Sequence, residues 1–178
     1  MGVRNAGHRF MPNRLVFPGG AVDNTDGAAA AASEPSPALM AALGRAARPR
    51  LARGIAMAAA RELEEETGLS LGDGTGMPPR LDGLAYLCRA ITPPESPIRF
   101  NARFLVVDAG RVSGEARDSH ELQAVGFRPL SELANAGLML VTQEVLLRLE
   151  AWLVLTADAR EADVRELGVF RQRRWCLE

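Results

Sequence analysis
Arg61-Glu62-Leu63-Glu64-Glu65-Glu66-Thr67-Gly68-Leu69 puts four glutamates into five positions, between an alanine-rich approach and a Thr-Gly stop. Residues three and four apart share a helix face. Glu62, Glu65 and Glu66 therefore point the same way, Arg61 lies at their edge, and Glu64 is turned away. Three carboxylates on one face repel one another unless a cation sits among them. The face is either a platform for a divalent metal or a solvated acidic surface, the ordinary fate of a glutamate run.

Working upstream, Ala56, Ala58, Ala59 and Ala60 favour helix and permit close packing. The pattern predicts a helix from about Pro49 or Arg53 to Thr67, closed by Gly68 as its C-terminal cap. Pro37 opens a shorter helix to about Ala47, with Leu39, Met40 and Leu43 at helical spacing. Residues 27–37 collapse to Ala, Ser and Pro and read as a mobile loop. Arg45, Arg48, Arg50 and Arg53 read as solvated. Arg14-Leu15-Val16-Phe17 reads as a strand stopped by Pro18-Gly19-Gly20.

Downstream, strands are predicted at residues 81–91, 98–108 and 121–128. In the second, Phe100, Ala102, Phe104 and Val106 alternate with Arg99, Asn101, Arg103 and Leu105. Ser131 can cap a short helix over 132–136, and Thr142 a long one over 143–155. Residues 160–178 are rich in arginine and receive no assignment.

With 178 residues, 47% of them apolar, the chain fits one domain, 1–178, carrying an insertion at about 27–53 and a tail at about 160–178. The net charge of -1 gives no overall pull toward a nucleic acid polymer or a membrane. All 21 basic residues are arginine, which excludes Schiff-base chemistry and a phosphate-loop lysine. Two cysteines, Cys88 and Cys176, are too few for a disulfide framework or a zinc site. No apolar run reaches the roughly 20 residues of a membrane span and no signal peptide opens the chain, so a cytoplasmic protein is the default.

Together, Phe17-Pro18-Gly19-Gly20 and Arg61-Glu62-Leu63-x-Glu65-Glu66-x-Gly68-Leu69 resemble the two halves of a Nudix box. The second half matches at every defined position. In the first half Gly20 matches, and the glutamate position falls on Asp26, one methylene shorter. Between Asp26 and Arg61 lie 34 residues where the pattern has seven, an insertion of 27. A loop of that length is affordable, since each doubling costs only about 0.6 kcal/mol, but it leaves the position of Asp26 open. Such insertions occur in a branch that includes coenzyme A diphosphatases. His8-Arg9-Phe10-Met11-Pro12, Ile91-Thr92-Pro93-Pro94 and Arg99-Phe100-Asn101-Ala102-Arg103-Phe104 resemble that branch as well.

The resemblance implies an α/β fold, an α/β/α sandwich with a mixed sheet. Its first strand looks truncated, since only Met1-Gly2-Val3 precede Arg4. It implies a hydrolase that cleaves a diphosphate linked to another moiety, using Mg2+ or Mn2+, hard cations suited to carboxylates and substrate phosphates. Glu62 and Glu66 are the expected direct ligands, Glu65 a ligand or water-orienting base, and the Gly20 carbonyl a further ligand. Arg61 is expected to pair with a glutamate and orient it. Glu121 is the candidate catalytic carboxylate from a later loop, with Asp118 and Glu115 as substitutes. Arg99 and Arg103 are candidates for substrate phosphate or a polar strand edge. Tyr86 and Phe100 could stack on a base or belong to the core.

The implied partner is a small nucleotide-type substrate. Coenzyme A or an acyl derivative comes first, with ADP-ribose, NADH or a dinucleoside polyphosphate as the other candidates. A nucleotide-binding sensor without catalysis is the alternative, and an isomerase using a reactive cysteine is a third class. A homodimer is the favoured assembly.

Overall fold
The computed structural model describes residues 1–7, 11–133, 136–156, 158–160 and 168–177. His8, Arg9 and Phe10 of one branch-like stretch lie outside them. So do 134 and 135 of the predicted short helix, and 157, 161–167 and 178 of the C-terminal region.

The chain forms β1 (Gly2–Arg4), β2 (Leu15–Val16), a 3-10 turn (Asp26–Ala28), α1 (Pro37–Gly44), α2 (Pro49–Thr67), β3 (Ser70–Leu71), β4 (Ala85–Ile91) and β5 (Asn101–Val106). A second 3-10 turn (Ala109–Arg111), β6 (Val112–Ser113), β7 (Leu122–Gln123), α3 (Leu130–Leu133), α4 (Leu140–Leu153), β8 (Gly168–Arg171) and β9 (Arg174–Leu177) follow. Three small sheets result, ordered β2-β1-β7, β3-β6 and β5-β4-β8-β9. The last is mixed, because β4 runs parallel to β8 and antiparallel to β5. The N-terminal strand β1 is thus the central strand of its own sheet, and the unassigned tail supplies two strands.

The helices lie on both sides of the four-stranded sheet. On one side α1 and α2 bury Leu39, Leu43, Ala52, Ile55, Ala56, Met57 and Ala60 with Tyr86. On the other, Val145 and Trp152 of α4 pack on Leu87 and Cys88. Each buried leucine stabilises this arrangement by roughly 1.5–3 kcal/mol. Seven residues of β4 stand against six of β5, and the register shifts between Tyr86 and Cys88. This β-bulge lets both Leu87 and Cys88 join the α4 side.

Several expectations are corrected: the strand expected over 121–128 is only Leu122–Gln123, and Ser131 lies inside α3 rather than capping it. Residues 27–37 are not a loose loop. Ala32 N–H donates to Pro79 O (2.9 Å), Leu81 N–H to Ser33 O (3.1 Å), and the Arg53 guanidinium holds Glu34 at 2.7 and 2.8 Å. The insertion is docked because Leu39 and Leu43 are among the most buried side chains of the chain. Thr142 caps nothing: α4 begins at Leu140 and Thr142 is buried within its first turn. Starting there turns Val145, Leu146 and Trp152 inward.

Helix α2 opens with Pro49 at its first turn, where no amide partner is needed. It ends at Gly68, left-handed at φ 73°, whose N–H donates to Glu64 O at 2.8 Å. A Cβ at Gly68 would also meet the Arg117 side chain at 2.6 Å. Gly68→Ala is expected to destabilise the protein by about 1–2 kcal/mol from the backbone alone, read as a lower urea midpoint. An unchanged midpoint would contradict the cap.

Candidate active site
The C-terminal half of α2, the Pro18-Gly19-Gly20 turn after β2, the end of β1 and the start of β7 meet at one place. Glu66 is its centre. Its side chain is 3% exposed, against 56% for Glu65. Gly19 N–H donates to Glu66 Oε2 at 2.7 Å. The other oxygen, Oε1, is buried and accepts no hydrogen bond among the described residues; Arg4 Nη2 lies 3.9 Å away. Arg4 Nη1 is in turn 3.7 Å from Glu121 Oε2.

Burial pushes the Glu66 carboxyl up to about 7. The Gly19 amide and Arg4 oppose this, while Glu121 and Glu62 add to it. Burial also raises Glu62, against the pull of Arg61, with Glu65 and Glu121 as repelling neighbours. Glu62, Glu66 and Glu121 therefore act on one another as a set of like charges. Gly20 lies against Glu62, and a Cβ there would fall 2.5 Å from the carboxyl carbon. A side chain there would have to push the Glu62 carboxylate aside.

Arg61 ties the two halves of the split motif together. Its Nε and Nη2 donate to the two oxygens of Asp26, each at 3.2 Å. Nη1 donates to Glu62 Oε1 at 2.7 Å and Glu65 Oε2 at 3.0 Å, and Nη2 to Ala21 O at 2.9 Å. Asp26 is buried and also accepts from Asp23 N–H at 2.7 Å. The insertion has therefore not displaced Asp26. Close approach of the turn at Gly27 to Gly54 of α2, where a Cβ would meet Gly27 N at 3.3 Å, brings it back beneath Arg61.

The remaining candidates lie elsewhere. Glu64 is indeed turned away, its Oε1 accepting from Gly76 N–H at 2.7 Å. Asp118 is engaged with Val125 N–H at 2.9 Å, inside its own loop, and Glu115 is exposed. Arg99 is exposed and precedes β5, so it shares no strand with Arg103. Arg103 donates to Asn101 O (2.9 Å) and Ala46 O (3.2 Å) and touches no glutamate of α2. Tyr86 belongs to the core and Phe100 is exposed. Cys88 is fully buried, and burial pushes its thiol up to about 12, unlike an isomerase nucleophile. Arg4 and the Gly19 amide were not among the sequence candidates. Gly19 sits inside the Phe-Pro-Gly-Gly turn, whereas Arg4 carries no motif.

Among the described residues no three acidic, histidine or cysteine side chains form a ready-made metal cluster. The donors nevertheless fit a hard divalent cation: a buried carboxylate oxygen without a hydrogen bond, a second carboxylate beside it, and a glycine turn pressed against them.

No family model matches the chain, and no curated protein matches it. Its structure is similar to the crystal structure of a Nudix hydrolase from Alicyclobacillus acidocaldarius. The TM-score is 0.54 at 23% sequence identity, covering 93% of this chain and 80% of that one. The chain has the mixed helix-and-sheet fold of a Nudix hydrolase. No helix among the described residues is long and apolar enough to cross a membrane.

Proposed function
We propose that the protein is a metal-dependent hydrolase that cleaves the diphosphate linkage of a nucleoside diphosphate derivative. The observation that carries this reading is the orphaned, buried Glu66 Oε1, set among Glu62, Glu121 and the Gly19-Gly20 turn. The fold shared with a Nudix hydrolase supports it. Glu62 and Glu66 are the proposed ligands of Mg2+ or Mn2+, with the Gly20 carbonyl beside them. When bound, such an ion neutralises substrate phosphate charge and lowers the pKa of water.

The chain's own residues do the rest. Arg61 holds Glu62 and Glu65 in place against Asp26. Glu65, the exposed member, and Glu121 are the two candidates to take the proton of the attacking water. Arg4 keeps Glu121 beside Glu66. Arg103, with Arg99, is proposed to receive phosphate remote from the scissile bond. Coenzyme A or an acyl derivative is the first candidate substrate, followed by ADP-ribose, NADH and dinucleoside polyphosphates. This order rests on the likeness of the inserted box and of Ile91–Pro94 to the coenzyme A diphosphatase branch. A homodimer is the proposed assembly.

The test is phosphate release from a panel of those compounds with Mg2+ or Mn2+, with Glu65→Gln beside the wild type. Turnover that chelation abolishes is expected for at least one compound, with kcat reduced at least tenfold in the variant if Glu65 is the base. Tight nucleotide binding with no turnover anywhere in the panel would replace the hydrolase by a nucleotide sensor.

A further inference from the structure
We infer that His120 is a positioning residue for Glu121: its imidazole holds that carboxylate in place and carries the proton of the attacking water from it to solvent. This role rests on the hydrolase reading above and selects Glu121 from the two candidate bases. Arg4 Nη1 lies 3.7 Å from Glu121 Oε2, and His120 Nε2 lies 3.6 Å from Glu121 Oε1. The carboxylate thus has a permanent cation near one oxygen and an imidazole near the other. Imidazole is the side chain that both takes and gives a proton readily near neutral pH. Glu65 is placed differently. Its Oε2 accepts from Arg61 Nη1 at 3.0 Å, and a guanidinium cannot take up a proton. Glu121 is also a repelling neighbour of both Glu66 and Glu62, which places it at the centre of the site. Its side chain is 32% exposed against 88% for His120, so the path from carboxylate to imidazole runs outward to water.

The turn that carries the pair is pinned on both sides. Ser119 N–H donates to Leu122 O at 2.8 Å, and Ser119 Oγ accepts from the N–H groups of Glu121 (3.3 Å) and Leu122 (3.1 Å). Asn5, the residue after Arg4, donates from its backbone to Glu121 O at 2.9 Å and from Nδ2 to His120 O at 3.2 Å. Arg4 itself pairs with Leu122 across β1 and β7. The backbones of Arg4, His120 and Glu121 are therefore fixed relative to one another before any of the three side chains is placed. At its exposure the His120 ring buries too little apolar surface to matter for folding. The proton is accounted for at each step. The water oxygen bonds to one phosphorus, and the bridging oxygen leaves with the electron pair of its P–O bond. The water proton passes to Glu121 Oε1, then to His120 Nε2, and from the imidazole to bulk water, which restores the carboxylate for the next turnover. The 3.6 Å gap closes by rotation of the exposed histidine or through one water.

The experiment has two arms. With a compound that the wild type turns over in Mg2+ or Mn2+, His120→Ala should lower kcat about tenfold or more and leave KM unchanged. Added free imidazole should restore kcat in His120→Ala in proportion to its concentration and do nothing for Glu121→Gln. His120→Gln can still donate a hydrogen bond to Glu121 but carries no proton, and it should stay as slow as His120→Ala. Full activity in His120→Gln would leave orientation alone and overturn the relay. The second arm needs no turnover. The chain has two histidines, so in chelator-treated protein the imidazole nitrogen resonances lost in His120→Gln identify those of His120. Glu121→Gln should move the His120 Nε2 resonance at constant pH, and Glu65→Gln should not. An unmoved resonance, or wild-type kcat in His120→Ala, overturns the relay and leaves the hydrolase reading standing. A wild type inert toward every compound overturns both.

Discussion

Glu66→Gln is expected to abolish turnover and, in the metal-free protein, to stabilise the fold. Losing the central carboxylate should lower kcat by about 10²–10³ or more, in the range seen when a preorganised electrostatic group is removed. The stability effect has the opposite sign because Glu66 is a buried acid whose carboxyl is raised from 4.5 to about 7. Between those pH values the folded chain holds a proton that the unfolded chain has released. Stability therefore falls as pH rises through that window, and the full penalty is present above pH 7. A shift of that size corresponds to at most about 3 kcal/mol. Glutamine is neutral at every pH and can still accept from Gly19 N–H.

In chelator at pH 8 the variant should therefore melt several degrees above wild type, at about 2–4 °C per kcal/mol for a chain of this size. The gap should close below about pH 4.5. Added Mg2+ or Mn2+ should raise the wild-type midpoint and leave the variant's unmoved. Full activity in Glu66→Gln would remove the proposed site, and a gap independent of pH would remove the buried charge as its cause.

Arg61→Met is expected to cost the most stability of any single change at the site, about 3–5 kcal/mol. The substitution strips five hydrogen bonds and leaves Asp26 buried without its cation. Removing the second partner as well, in Arg61→Met/Asp26→Ala, should recover part of the loss, because no uncompensated charge then remains. Urea unfolding of the two single variants and the double variant measures this. Strict additivity would mean that the contact between Asp26 and Arg61 carries no coupling energy. Activity should stay low in all three, since Glu62 loses the group that orients it.

Helix α2 was readable because alanine propensity, the glutamate spacing and the closing Gly68 agree: its end at Thr67 is as expected, and its start falls at Pro49, the earlier of the two starts the pattern left open. The shared direction of Glu62, Glu65 and Glu66 follows from helix geometry. That Glu66 is buried while Glu65 faces solvent does not, because it depends on the Gly19 turn and β1 packed against one flank. Asp26 was ambiguous for the same reason: 34 intervening residues fix no distance. Only the docking of Leu39 and Leu43, and the contact of Gly27 with Gly54, return it to Arg61. The tail was opaque because exposed arginines at 171, 173 and 174 leave only the short apolar pair Val169-Phe170 and a lone Trp175, too little for a strand pattern.

Leu87 has a wider effect than its own burial. Strict alternation along β4 would put Tyr86, Cys88 and Ala90 on one side and Leu87, Arg89 and Ile91 on the other. The extra residue changes the beat once, so Tyr86 and Arg89, three apart, come to lie on the same side. One surface thereby changes character along a single strand, from oily under the inserted helices to cationic beyond them. A chain that kept every one of these side chains but lost that syncopation would have to choose between seating its tyrosine and displaying its arginine.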